Sequence, residues 1–259
     1  MKIKILQLNI WNGRLKRNIA NFLRENNFDI ICLEEAVWSK NNTTEGRRQI
    51  EYYGFSVEQI MELTGLKCVV RGAKFGNEIA NGLDCLLEGN VILSRFEATD
   101  SFVKNLNVEP DEKVIFTGNN YDNAKIFAYN IVGAKFEELG GLQVFCHHGF
   151  WNKDPMGNDE SIRMMSMAMD AIPRDNKCPV MVCGDFNLRY DAKAMRETDF
   201  LRDLVHENNI KNTLNNLVSV DNQVDCDHIL INDKIKVNSF RMCDELVSDH
   251  YAIITEIEV

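Results

Sequence analysis

Proline is scarce in this chain, four residues in 259, and the four are scattered, which excludes a proline-rich linker between domains. Basic residues are in deficit as well. Twenty-nine Lys and Arg against 39 Asp and Glu leave a formal net charge of −10, which argues against a protein that coats nucleic acid through a broad basic face. The basic doublets Lys16-Arg17 and Arg47-Arg48 read as solvated helix faces, although a local basic groove stays open. No C-x-x-C pair occurs among the eight cysteines, most of which stand in apolar runs such as Asp29 to Leu33 and read as reduced, partly buried thiols. No apolar run is long enough to span a bilayer. Met1 to Ile10 alternates lysine with apolar residues, the pattern of a strand and not of a signal peptide. The expectation is a cytoplasmic protein with no membrane anchor, and a monomer. Internal repeats of fixed period and low-complexity segments are also absent from the sequence.

What is present is ordinary globular material, 45% hydrophobic and 26% charged, long enough over 1–259 for one domain with a core that needs no disulfide. Ile3 to Ile10 reads as a buried strand. Leu15 to Asn26 places Leu15, Ile19, Phe22 and Leu23 at helical spacing, and Asp29 to Leu33 is a second strand ending at Glu34-Glu35. A strand, a helix and a strand suggest a crossover unit that brings both polar strand ends to one edge, so that Asn9 and Glu35 become neighbours. Arg47 to Gly89, with Gly65, Gly72, Gly76 and Gly82, reads as loops and a short helix. Strand-like runs follow at Val91–Ser94, Phe102–Leu106, Lys125–Val132 and Leu142–Cys146, then a helix over Asn158–Ile172. Pro179–Cys183 is a short strand, Asp191–Asn208 one or two helices, and His228–Ile231, Lys236–Met242 and Tyr251–Val259 are closing strands. The order fits mixed sheets covered by helices, an α+β or α/β sandwich.

Several carboxylates stand just past apolar strands: Glu35, Asp185, Asp227 and Asp249. Acidic groups gathered at one edge repel one another unless a cation sits among them, and Mg²⁺ or Mn²⁺ is the natural guest of oxygen ligands. Such an ion answers the first demand of phosphate-ester hydrolysis, neutralisation of the equatorial oxygens, and the others are an aimed water and a stabilised leaving oxygen. Each residue also has a plainer reading, as a helix cap, a turn former or a satisfied strand end. Their joint occurrence in this order favours chemistry.

Leu8-Asn9-Ile10-Trp11, Asp29 to Glu35, Glu88 to Arg95, the strand ending at His147-His148, Gly184-Asp185-Phe186-Asn187-Leu188, Asp227-His228-Ile229-Leu230 and Ser248-Asp249-His250 together resemble the endonuclease/exonuclease/phosphatase superfamily over nearly the whole chain. The resemblance implies a four-layer, DNase I-like α+β sandwich of two mixed sheets flanked by helices. It also implies divalent-metal-dependent attack of water in line on a phosphate ester, in a nucleotide, a nucleic acid or a lipid head group. Glu35 is then the principal metal ligand, helped by Asn9 and Asp249. Asp185 aligns or deprotonates the water and Asn187 orients it. His250 contacts the phosphate, with Asp227 fixing its ring. His148 matches the remaining family histidine, although it follows Cys146-His147 where the family carries Asn-Thr. Of the two histidines His148 is chosen because Gly149 opens the loop after it, and successive strand side chains face opposite ways. Glu88 either pairs with His148, as in some relatives, or lies on the surface. Asn90 fits the family's substrate-side asparagine, and Glu34 stands where a glutamine is usual. Trp11, Trp38 and Trp151 lie near site segments, as packing residues or, for Trp151 above all, as a wall for the substrate. Two alternatives are a nucleic-acid endo- or exonuclease and a binding module that has lost turnover.

Overall fold

The computed structural model describes residues 1–79, 82–111, 127–175, 177–218 and 224–259. Their strands are β1 (Lys2–Asn9), β2 (Ile30–Ser39), β3 (Lys67–Ile79), β4 (Asp84–Ser94), β5 (Asp100–Asn105), β6 (Asn130–Phe136), β7 (Leu142–His147), β8 (Val180–Asp185), β9 (Arg202–Asp203), β10 (Asp227–Ile231), β11 (Lys236–Cys243) and β12 (Ala252–Glu258). The helices are α1 (Lys16–Glu25), α2 (Thr44–Tyr53), α3 (Val57–Thr64), α4 (Asp159–Met169) and the single turn α5 (Leu204–Glu207). The strands form two six-stranded sheets, ordered β11-β12-β1-β2-β4-β3 and β5-β6-β7-β8-β10-β9.

Each sheet has one parallel pair near its middle, β1 with β2 and β7 with β8, and its other pairs are antiparallel. A parallel pair needs a crossover, which α1 and α4 supply, and it ends both of its strands at the same edge. That edge carries Asn9 and Glu34 from one sheet, His147 and Asp185 from the other. The antiparallel neighbour β10 begins there, with Asp227 opposite Asp185.

Alternation along the strands divides the core into layers. Ile3, Ile5, Ile30 and Ile92 face Val132, Val144, Met181 and Ile229 between the sheets. Leu6, Leu8, Ile31 and Leu33 turn outward onto Ile19 and Phe22 of α1 and Val57 and Ile60 of α3. On the far side, Ile131, Phe145 and Val182 pack on Met164, Met165, Ala168 and Met169 of α4. The result is the four-layer α+β sandwich. Each fully buried side chain of this kind contributes about 1.5–3 kcal/mol. Helix ends are set locally: Ser56 and Gln59 form a reciprocal cap at the start of α3, and Gly65 ends that helix in the left-handed conformation.

The segment 47–89, expected as loops with a short helix, instead contains two helices and two of the longest strands. Gly72, Gly76 and Gly89 are places of close approach within the sheet. A Cβ on Gly89 would overlap the Gly72 carbonyl, at the point where β3 bulges between Ala73 and Phe75. The expected run 125–132 begins outside the described residues, and its strand starts at Asn130. Asp191–Asn208 holds a 3-10 helix (Lys193–Thr198), β9 and α5 in place of full helices.

His228, the residue after Asp227 in β10, makes a buried ion pair with Asp203, Nδ1 to Oδ2 at 2.7 Å, with Nε2 3.0 Å from the Leu188 carbonyl. Burial alone would lower the imidazole, but Asp203 raises it to about 9. No helix among the described residues is long and apolar enough to cross a membrane.

Candidate active site

Glu34 and Glu35 together oppose Asn90, because the β2–β4 register jumps from Leu33↔Val91 to Ala36↔Gly89. This bulge lets consecutive glutamates serve different places. Glu34, 0% exposed, points between the sheets, and Glu35 is half-buried at the edge with φ of 51°. Left-handed backbone outside glycine costs roughly 1–2 kcal/mol per residue. Of the six described non-glycine residues that adopt it, Trp11, Asn12, Glu35 and Asn187 all lie in site segments.

Asp185 is the meeting point. Asn9 Nδ2 donates to its Oδ2 at 3.0 Å and reaches Glu35 Oε1 at 3.3 Å, while Asn9 Oδ1 accepts from the Trp11 N–H. The Asn187 N–H donates to Asp185 Oδ1, and His148 Nε2 and His250 Nε2 lie 3.5 and 3.8 Å from Oδ2. Burial pushes the Asp185 carboxyl up to about 6, and the Asp227 charge adds to this while His250 opposes it. His250 Nδ1 meets Asp227 Oδ2 at 2.7 Å. Burial works against the His250 imidazolium, yet Asp227 and Asp185 hold it well above the usual imidazole range. Asp227 lies below its ordinary value, because His250 and hydrogen bonds outweigh its burial.

The remaining sequence candidates are placed as follows. Asp249 is half-buried beside Glu35, and burial first, then the Glu35 charge, raises it to about 6. The Asn187 amide donates to the Gly149 carbonyl, where the backbone approaches so closely that a Cβ on Gly149 would overlap the Phe186 carbonyl. His147 turns away from Asp185, with Nδ1 3.0 Å from the Asn130 carbonyl and its ring against Phe186. Asn90 is buried between the sheets, its amide donating to Asn130 and its own oxygen left without a hydrogen-bond partner. Trp151 is half-buried against the α4 layer, its backbone N–H donating to the Tyr129 hydroxyl.

Sequence reasoning missed three residues that stand beside these groups. Lys74, only 7% exposed, emerges from the β3 bulge with Nζ 3.4 Å from His148 Nδ1 and over the rings of Tyr129 and Phe127. An ammonium can only donate, so Nδ1 of His148 is the acceptor and Nε2–H faces Asp185. Burial, then the Lys74 charge, keeps His148 well below its ordinary value and neutral. Glu88 does not meet His148: it accepts from Asn12, and burial plus the Glu35 charge raise it to about 8. Gln7 Nε2 donates to Glu34 Oε2 at 2.9 Å and to Asp227 Oδ1 at 3.0 Å, joining the two sheets beneath the site. Burial drives Glu34 well above the usual carboxylate range, and the Cys146 thiol donates to its other oxygen. The third, Cys226, lies beside Asp227 and His250. Polar residues in apolar alternation, Gln7 in β1 and Lys74 between Ala73 and Phe75, were the available signal.

One end of the two-sheet sandwich thus gathers an imidazole backed by a buried carboxylate, a second buried carboxyl raised to about 6 and a rim of mutually repelling acids. The family model described as "Endonuclease/Exonuclease/phosphatase family" matches residues 6–250, and the chain belongs to that family, whose members are metal-dependent phosphoester hydrolases. An endonuclease/exonuclease/phosphatase of Beutenbergia cavernae has a similar structure, with a TM-score of 0.71 at 14% identity over 100% of this chain and 72% of that one. A family protein from Leptotrichia buccalis gives 0.68 at 18% identity over 99% and 100%. A mannosyl-6-phosphatase of Bacteroides thetaiotaomicron gives 0.64 at 16% over 99% and 100%. Among curated proteins none matches the chain.

Proposed function

We propose that this chain, as one catalytic domain, hydrolyses a phosphate ester by in-line attack of a water held at Asp185. The observation that carries the reading is the convergence on that carboxylate of Asn9 at 3.0 Å, His148 at 3.5 Å and His250 at 3.8 Å, with Asp227 behind His250. A base near 6 is matched to work at neutral pH. Asn187, fixed by Gly149 and by its left-handed backbone, aims the water. The His250 imidazolium, kept charged by Asp227, stabilises the phosphoryl oxygens as charge builds, and His148 adds a neutral N–H on the other side of Asp185.

The acidic rim fits a hard divalent cation, Mg²⁺ or Mn²⁺. Glu88 and Asp249 are both raised by burial and by the charge of Glu35, a repulsion that a cation among oxygen donors relieves. Glu35 and Asp249 would hold the ion, and Asn9 would join them by turning its amide oxygen. When bound, the ion supplies Lewis-acid neutralisation of a phosphoryl oxygen. Asn90 and Trp151 are proposed on the substrate side.

The test is hydrolysis of bis-p-nitrophenyl phosphate and p-nitrophenyl phosphate with Mg²⁺ or Mn²⁺. Wild type should turn over one or both, while Asp185→Ala and His250→Ala each lose about 10²–10⁴ in kcat. Equal inertness of wild type and both variants, across metals and a panel of natural esters, would defeat the reading and leave a binding module.

A further inference from the structure

Cys226 has no part in the hydrolysis described above, yet it stands inside the site. Asp185, Cys226 and His250 each offer one ligand atom, and the three atoms lie within 4.8 Å of one another. The Cys226 sulfur also lies 3.6 Å from Asp227 Oδ2 and 3.6 Å from the Thr213 hydroxyl. His250 has Nδ1 committed to Asp227 at 2.7 Å and turns Nε2 toward Asp185.

These facts describe a donor set of one sulfur, one nitrogen and one oxygen, with a carboxylate behind the imidazole. That is the ligand chemistry and the supporting contact of a zinc site with an open fourth position. It differs in kind from the all-oxygen rim of Glu35 and Asp249, which suits a hard ion. We propose that Asp185, Cys226 and His250 form a separate site for a soft or borderline divalent cation such as Zn²⁺, and that its occupation shuts the hydrolase off. Inhibition rests on the phosphoesterase reading; binding does not.

The step is balanced without a co-reactant. Binding breaks the S–H bond of Cys226 and an N–H bond of His250, both protons pass to solvent, and the metal bonds to sulfur, nitrogen and a carboxylate oxygen form. The ion enters from the cleft, where His250 retains 8% exposure. Once seated, it engages both the carboxylate that handles water and the imidazole that faces the phosphate, so neither remains free for turnover.

The experiment uses the full chain with Mg²⁺ in excess. Wild type and Cys226→Ser are titrated with Zn²⁺ while bis-p-nitrophenyl phosphate hydrolysis is followed, and Zn²⁺ bound per chain is measured by equilibrium dialysis. Co²⁺ is added separately, and the thiolate-to-metal absorption is recorded. Wild type should retain a tight Zn²⁺ and show the thiolate band. Cys226→Ser should keep its basal rate, lose the band, and need at least about tenfold more Zn²⁺ for half-inhibition. His250→Gln, as a second variant for binding alone, should weaken Zn²⁺ retention to a similar degree. The other thiols, including the less buried Cys68 and Cys178, remain in both variants and control for adventitious capture. Equal Zn²⁺ sensitivity of wild type and Cys226→Ser, or absence of a thiolate band in wild type, would overturn the proposal. An inert wild type that still binds Zn²⁺ through Cys226 would overturn the hydrolase reading and leave the site standing.

Discussion

Asparagine in place of Asp203 keeps a side-chain oxygen to cap α5 but removes the charge that faces His228. In the wild type that imidazole is 0% exposed and raised from 6.5 to about 9. At about 1.4 kcal/mol per pH unit the pair contributes about 3 kcal/mol. The sign follows from linkage. The folded value is raised, so the contribution is complete below the unfolded value of 6.5 and is lost as pH rises through about 9. Urea unfolding of wild type and Asp203→Asn should therefore show a gap of about 3 kcal/mol near pH 6, closing to a few tenths above about pH 10. Taking the difference between the two proteins cancels the titration of Asp185, Asp249 and His250, which both retain. A gap that stays constant across that range would refute the assignment of a buried imidazolium and leave only lost hydrogen bonding.

Three further outcomes follow from the site. The kcat/KM profile should rise through about 6 as Asp185 deprotonates and fall only above the ordinary imidazole range, where His250 loses its proton; Asp227→Asn should bring the falling limb to lower pH, read from initial rates against pH. Lys74→Met removes a charge that lowers Glu88 and His148 alike, and should cost roughly tenfold or more in kcat/KM with the fold retained by circular dichroism. Chelation should abolish turnover and Mg²⁺ or Mn²⁺ restore it, with release of protons from Glu88 and Asp249 on addition of the ion, measured in weak buffer.

The apolar runs and helical spacing of the first 35 residues made β1, α1 and the start of β2 legible, because strands buried on both faces read as short apolar runs and a helix buried on one face keeps its period. The parallel pair that they form explains why Asn9 and Glu35 end at the same edge. Asp185, Asn187, Asp227 and His250 were legible by order and type, and the fold brings them together with His148. Strand β3 and the first part of β4 were not legible, whereas the end of β4 was read as Val91–Ser94. Gly72, Gly76 and Gly89 look like turns in sequence, whereas in space each leaves room for a neighbour, side chains at Gly72 and Gly76 and the Gly72 carbonyl at Gly89 beside the β3 bulge. Lys74 was hidden for the same reason. Glu34 and Glu35 could be ranked but not explained, since only the bulge shows how adjacent residues reach the interior and the rim.

The amide of Gln7 gives its two hydrogens to acids on different sheets. A small slide of one sheet over the other would break one of those bonds while the hydrophobic layers stayed in contact, and Asp227 would lose part of what orients it behind His250. Turnover should thus report on the alignment of the two sheets more sensitively than unfolding does. Core substitutions at the other end of the sheets from the site, such as Ile257→Val in the layer between them, should depress the rate before they depress the melting temperature.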